Sequence, residues 1–317
     1  MKQKFSAISL KIAILGGFTG FLFLASCGTQ KKQDQNAPSF KDVLGMQYVE
    51  VHRYFNSGLS FNQQGYQLEP TWKMYLLSDD SLMIYHPQAK VFYHYPIYHD
   101  HDSVFNIARH WMRIKMITKD SLIFQLLSVE EKKIDRDFSN AYMKFYSYEY
   151  LKQKGIDPDL LRKPTSRDTA FIKAKSEKAN RNPDKRDSVF AARIPVILKS
   201  KNGDVNVSKI KVQLDPHDLL HVSSSDEYLY PEYNITINKA YKDFFYSFSV
   251  IVDDKGKMHL SKFVTSPEFE ESRRKVLEGI IRVYLQNLLT IVPGTTLGIT
   301  HSSEITLNVT GKTNAGA

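Results

Sequence analysis

The chain has one cysteine in 317 residues, Cys27. A lone cysteine excludes an internal disulfide framework and a thiolate metal site, so stability has to come from packed cores. Long apolar runs are also scarce. After the first 26 residues no stretch reaches the roughly 20 apolar residues that a bilayer-spanning helix needs. GxSxG, CxxC, P-loop and GxGxxG patterns are missing, so hydrolase, thiol-redox, NTPase and dinucleotide chemistry has no signature here. Charge is not lacking: 43 Lys and Arg stand against 34 Asp and Glu, for a net +9. The basic excess is not a nucleic-acid footprint. Residues 151–190 hold 11 basic and six acidic side chains without interleaved aromatics, the pattern of a solvated face or of a face resting on anionic lipid heads. Neither a cofactor nor a nucleic-acid partner is expected, and the chain is read as a non-enzyme.

The N-terminus is more specific. Lys2, Lys4 and Lys11 precede "IAILGGFTGFLFLAS" (12–26), which carries no charge. A basic start and a short apolar run have the order of a secretory signal. Leu24, Ala25, Ser26 and Cys27 then resemble the bacterial lipobox, in which small residues precede a cysteine that is lipidated and becomes the mature N-terminus. The resemblance implies a signal peptide over 1–26, lipidation of Cys27, and a membrane anchor of two or three acyl chains. One chain alone would hold only marginally. The expected location is the outer membrane, facing the periplasm. A signal anchor or an ordinary buried thiol are the alternative readings.

The remaining chain divides by composition. Residues 27–44 read as a lipidated tether, polar over "GTQKKQDQNAPSF" (28–40). Residues 45–150 read as a β-rich domain. "WKMYLLSDDSLMIYH" (72–86) and "WMRIKMITKDSLIFQLL" (111–127) look like one unit used twice, each a Trp, a strand, an Asp-Ser turn and a returning strand. Seven or eight such strands predict a meander or barrel, with a faint likeness to lipocalin-like domains of envelope lipoproteins. Residues 151–190 read as a charged linker with one or two short helices. Residues 191–317 read as an α+β domain with an antiparallel sheet and one long helix. A hairpin is expected around Asn202-Gly203. "FFYSFSVIV" (244–252) alternates, and Asp254-Lys255-Gly256 turns it into "KMHLSKFVT". Ser266 and Pro267 suit a helix start, and Val276, Leu277, Ile280, Ile281, Tyr284, Leu285 and Leu288 recur at helical spacing.

Over about residues 240–312 this order of strand, "DDKGK" turn, strand, helix, "PG" and final strand resembles the TonB C-terminal domain. "VIVDDKGKMHLSKFVTS" is similar to that family's central hairpin and "TIVPGTTLG" to its connection into the last strand. The resemblance implies a small α+β module with a sheet edge open to partners. The last strand, "EITLNVT" (304–310), is expected at that edge, with Thr306, Asn308 and Thr310 facing envelope-protein partners.

Two further readings remain. Five of the ten histidines fall within residues 86–110, and "YHDHDS" sets His99 and His101 two apart beside Asp100 and Asp102. Such a pair is the alternative metal site, and would make the protein a metal-dependent hydrolase. A turn with solvated His and Asp is the plainer reading. His217 and His221, four apart, are a weaker pair of the same kind. Tyr85, Tyr93, Tyr95 and Tyr98 would line the cavity of a small apolar ligand carrier, or simply pack a core.

Overall fold

A computed structural model describes residues 38–87, 89–211 and 225–313. Cys27, His217 and His221 lie outside the described residues.

The first half is a strand meander closed on itself. Its strands are β1 (Gln47–Phe55), β2 (Lys73–Ser78), β3 (Ser81–His86), β4 (Val91–His101), β5 (Val104–Ile107), β6 (His110–Ile117), β7 (Ser121–Glu130), β8 (Lys133–Asp135) and β9 (Ala141–Ser147). Each of β1 to β6 pairs antiparallel with the next. β6 then pairs with β7, β7 with β9, and β9 with β1, so eight strands form a ring and β8 hangs from β7 alone. Closure leaves no open edge among those eight. The two repeated Trp units are the hairpins β2–β3 and β6–β7, as the sequence predicts.

Alternation fills the ring. Tyr48, Met74, Leu82, Met112, Phe124 and Phe145 point inward and are almost wholly buried. Of the four tyrosines, Tyr93 and Tyr95 share the inward face of β4 and the other two do not, because a strand sends successive side chains to opposite faces. Tyr95 packs on this core, whereas Tyr98 is exposed and Tyr85 meets the exposed Phe92 with its ring tilted by 59°, 5.3 Å between ring centroids. One end of the ring is plugged by Phe40 and Val43. The Asp79 carboxylate accepts the Phe40 N–H at 2.6 Å and holds that plug in place. The tether expected over 27–44 therefore ends before Ser39, since residues 40–44 belong to the barrel end.

The segment expected as a charged linker with one or two short helices forms three helices, α1 (Tyr148–Lys154), α2 (Pro158–Leu161) and α3 (Ser166–Arg181). α3 is packed rather than solvated. Ile172 and Ala179 join Phe61 and Phe190 in a small core of their own. Asp168 is 0% exposed; its carboxylate accepts the Ser60 N–H at 2.7 Å and the Thr165 N–H and hydroxyl at 2.8 and 2.7 Å. The Thr165 N–H bond, together with the Asp168 N–H donating to Thr165 Oγ1 at 3.2 Å, makes a capping box at the helix start. The buried side of the helix mixes Asp168 and Ser176 with Ile172 and Ala179, so its apolar periodicity is weak.

The second half contains β10 (Ile197–Ser200), β11 (Val205–Lys209), α4 (Asp226–Leu229), β12 (Glu232–Ile237), β13 (Phe244–Val252), β14 (Met258–Phe263), α5 (Glu270–Ile280), β15 (Leu289–Val292), β16 (Thr295–Thr296), β17 (Ile299–Thr300) and β18 (Ser303–Gly311). Helical structure is continuous from Pro267 to Leu288, with a wider π turn at Ile281–Leu285. Pro267 opens it as expected, but the Ser266 side chain makes no capping bond. Leu277, Ile280, Ile281 and Leu285 press onto Val250, Ile305, Leu307 and Val309 of the sheet. The fold is thus mostly β, with several antiparallel sheets and a few helices.

Two expectations change. β10 pairs with β15, and β11 with β12, so Asn202-Gly203 is a corner between two sheets and not a hairpin. The Asn202 side chain accepts the Asp204 N–H at 3.1 Å and closes that corner locally. The five-stranded sheet has the order β11-β12-β18-β13-β14 and is mixed, because β12 and β18 run parallel.

Candidate partner interface

The strand expected at the edge lies in the middle. β18 bonds β12 on one side and β13 on the other, so no backbone group along it is left for an added strand. Alternation is nonetheless as expected. Ile305, Leu307 and Val309 are buried against the helix, while Thr306, Asn308 and Thr310 share the outer face. There they meet their neighbours: Asn308 Nδ2 donates to Glu232 Oε1 at 2.6 Å, and Thr306 lies 3.4 Å from the Ser249 hydroxyl. The reason for the difference is long-range. The chain leaves β15, makes the short β16–β17 turn, and re-enters between β12 and β13.

His99 and His101 are not brought together as ligands. The register of β4 against β5 breaks at a bulge between them. His99 Nε2 bonds the Asp102 carbonyl at 3.0 Å, and His101 Nδ1 bonds Asp100 Oδ2 at 2.6 Å. Among the described residues no group of three His, Cys, Asp or Glu is placed to hold a metal ion.

Among the described residues the sheet ends in free edges, at β11 and β14. β14 is the more elaborate. Its residues Met258–Leu260, with Lys257 just before them, form one wall of a cleft of about 690 Å³ whose other wall is α5, through Lys275, Glu278 and Gly279. The buried Met258 and Ile281 lie at its base. A carbon added at Gly279 would meet nothing within 4 Å, so the helix wall is cut back where the cleft opens. Glycine inside a helix costs about 1 kcal/mol against alanine, so this opening has a stability cost.

The turn before β14 is built to hold the edge still. Asp253 Oδ1 accepts the N–H groups of Lys255 and Lys257, both at 2.9 Å, and His259 Nε2 lies 3.0 Å from Asp253 Oδ2. Burial opposes ionisation of Asp253, but those three hydrogen bonds outweigh it and hold the carboxyl below the usual carboxylate range. Gly256 has φ +79°, and a carbon added there would sit 2.9 Å from the Ile291 carbonyl oxygen. Gly256→Ala is expected to cost about 2 kcal/mol, from left-handed backbone and that clash together. Gly203→Ala, where added carbon meets nothing, is its control. Urea denaturation of both variants measures the contrast, and equal midpoints would refute the strained turn.

At the other end of β14, Phe263 lies under the Arg274 guanidinium, 5.2 Å from its centroid, and Val264 is 90% exposed. Lys257 precedes the strand and Lys262 lies on it, and lysines are common on edges that must avoid indiscriminate pairing. Sequence periodicity found the β13–β14 hairpin and the helix but not the cleft between them, since strand order is invisible to local pattern. The one available signal was Gly279 inside an otherwise good helical run. No protein-family model matches the chain, and no curated protein matches it either.

Proposed function

We propose that this is a lipid-anchored bacterial envelope protein that works by binding other envelope proteins rather than by catalysis. Cys27 carries the lipid, the outer membrane holds the protein facing the periplasm, and the α+β half presents the partner site. The free edge of β14 beside the α5 cleft carries the reading. An unpaired edge offers main-chain N–H and C=O groups in a row, and a strand–helix cleft accepts alternate side chains of an extended peptide laid against it. Main-chain bonds would supply affinity, and the cleft selectivity. The layout resembling the TonB C-terminal domain supports the same reading, with β14 in place of β18 as the docking edge. Among the described residues no helix is long and apolar enough to cross a membrane.

Crosslinking in intact cells, followed by isolation of the full-length chain, tests the proposal. Gly279→Met should fill the cleft without harming a helix in which methionine is favoured, and its specific adducts should disappear. Asn308→Ala, on the central strand, should keep them. Adducts that survive Gly279→Met in a folded protein would refute docking at β14. The anchor is tested separately. Mass spectrometry should find the mature N-terminus at an acylated Cys27, and Cys27→Ser should release or mislocalise the protein. An unmodified Cys27 would remove the anchor from the account.

A further inference from the structure

A second cleft, of about 700 Å³, lies at the barrel end opposite the Phe40 plug, between the loop after β1, the end of β7, the β8–β9 loop and α3. That volume is within the 300–1,000 Å³ typical of small-molecule sites. Among the described residues no charged side chain lines it, although charged residues make up 24% of the chain. Lys175, bonded to Gln63 at 3.2 Å, lines a neighbouring cleft and not this one.

Two kinds of group remain. Phe138, Tyr66 and Phe171 supply rings, and Asn56, Gln64 and Asn140 supply neutral amides. Phe138 is 74% exposed, so packing does not hold it there. The turn does. Asp135 Oδ1 accepts the N–H groups of Asp137 and Phe138 at 2.9 and 3.3 Å, and the Asp135 carbonyl accepts the Ser139 N–H at 3.1 Å. The amides have capacity to spare. The side chains of Asn56 and Gln64 make no hydrogen bond among the described residues. Asn140 donates from Nδ2 to the Asp137 carbonyl at 3.0 Å and keeps its Oδ1 free.

This chemistry selects a ligand class. An amide offers two donors and an acceptor without charge, which suits neighbouring hydroxyl and acetamido groups. Ring faces suit the C–H faces of a pyranose. Anions would call for Arg or Lys, and cations for carboxylates. A purely apolar ligand would strand the amides without partners. We propose that the cleft binds a short uncharged oligosaccharide, with Phe138 stacked on one sugar ring and Asn56, Gln64 and Asn140 hydrogen-bonded to its hydroxyl or acetamido groups. The site is separate from β14 and does not depend on docking there.

Saturation-transfer NMR with the full-length chain tests this, using chitotriose, cellotriose and maltotriose, with trigalacturonic acid and a fatty acid as controls. At least one uncharged trisaccharide should bind with a Kd of about 1 mM or tighter. Phe138→Ala should weaken it by about tenfold or more while leaving the melting temperature unchanged, because the ring is an exposed anchor. Asn56→Ala, also at an exposed position, should weaken it in the same direction. No binding of any uncharged sugar would overturn the proposal, as would preference for either control. Binding unchanged in both variants would overturn it equally.

Discussion

Asp168→Ala is expected to destabilise the protein by about 4 kcal/mol, the largest effect of any single polar substitution considered. The carboxylate is fully buried and accepts three hydrogen bonds, one from Ser60 in the loop after β1 and two from Thr165 at the start of α3. Hydrogen bonds to a charged group contribute about 1.5–3 kcal/mol each, and a lost capping box about 1 kcal/mol. The sum is discounted because the Thr165 groups can reach water once the cap opens, whereas the Ser60 N–H is left buried. Thr165→Ala removes the cap alone and should cost about 1 kcal/mol. Urea titrations of the two variants separate the terms. If Asp168→Ala costs under about 1 kcal/mol, α3 is not docked through this carboxylate, and residues 151–190 behave as the linker that their composition suggests.

The second large effect is a loss of stability in mild acid. His301 is fully buried, with its ring stacked on Phe190 at 3.8 Å between centroids and 8° between planes. Nδ1 bonds the Ser302 carbonyl at 3.1 Å, so it must carry the proton, and Nε2 accepts from the Thr296 hydroxyl at 3.0 Å. Burial, helped by the nearby Lys175 charge and opposed by the Ser302 carbonyl, lowers the His301 pKa to about 4. The folded value lies below the unfolded one, near 6.5, so acid protonates the unfolded chain preferentially. His301 therefore contributes full stability above pH 6.5. That contribution falls as the pH drops from 6.5 towards 4, by a total of about 3 kcal/mol. His52, also lowered chiefly by burial, acts in the same direction. The slope of wild type minus that of His301→Asn isolates His301. Equal slopes for the two between pH 6.5 and 4.5 would show that the imidazole is not held neutral by the fold.

Local pattern made some of this structure legible. Trp72 and Trp111 introduce hairpins because each is followed by alternating apolar residues and an Asp-Ser turn. β13 and β14 meet across Asp253–Lys257 for the same reason, and Leu277 to Leu288 follow helical spacing. Ile305, Leu307 and Val309 face the core because a strand with one buried face has little choice of register. What pattern could not supply was which strand lies beside which. Closure of the barrel depends on β9 returning to β1, about ninety residues away. β18 reaches the sheet centre through a parallel pairing with β12 that no turn specifies. The same ignorance placed the docking edge at Thr306, Asn308 and Thr310, when β18 is central and the edges are β11 and β14. Short helices were expected in residues 151–190, but the docking of α3 escaped for a different reason. That helix is held by Asp168 and a capping box in a sequence rich in charge, so composition pointed to solvent while three hydrogen bonds pointed inward. His301 escaped because one histidine among ten carries no sign of burial.

Hydrogen exchange on the membrane-held protein tests the binding account most directly, because it reads the main-chain bonds that strand addition would form. Amides in residues 258–263 should be slower to exchange in native membranes than after the chain has been stripped of its partners. Those of the central strand, 303–311, should be equally slow in both states. Gly279→Met should abolish the difference at 258–263. If these amides exchange alike with and without partners, no strand is added at β14 and the proposed mode of binding is wrong.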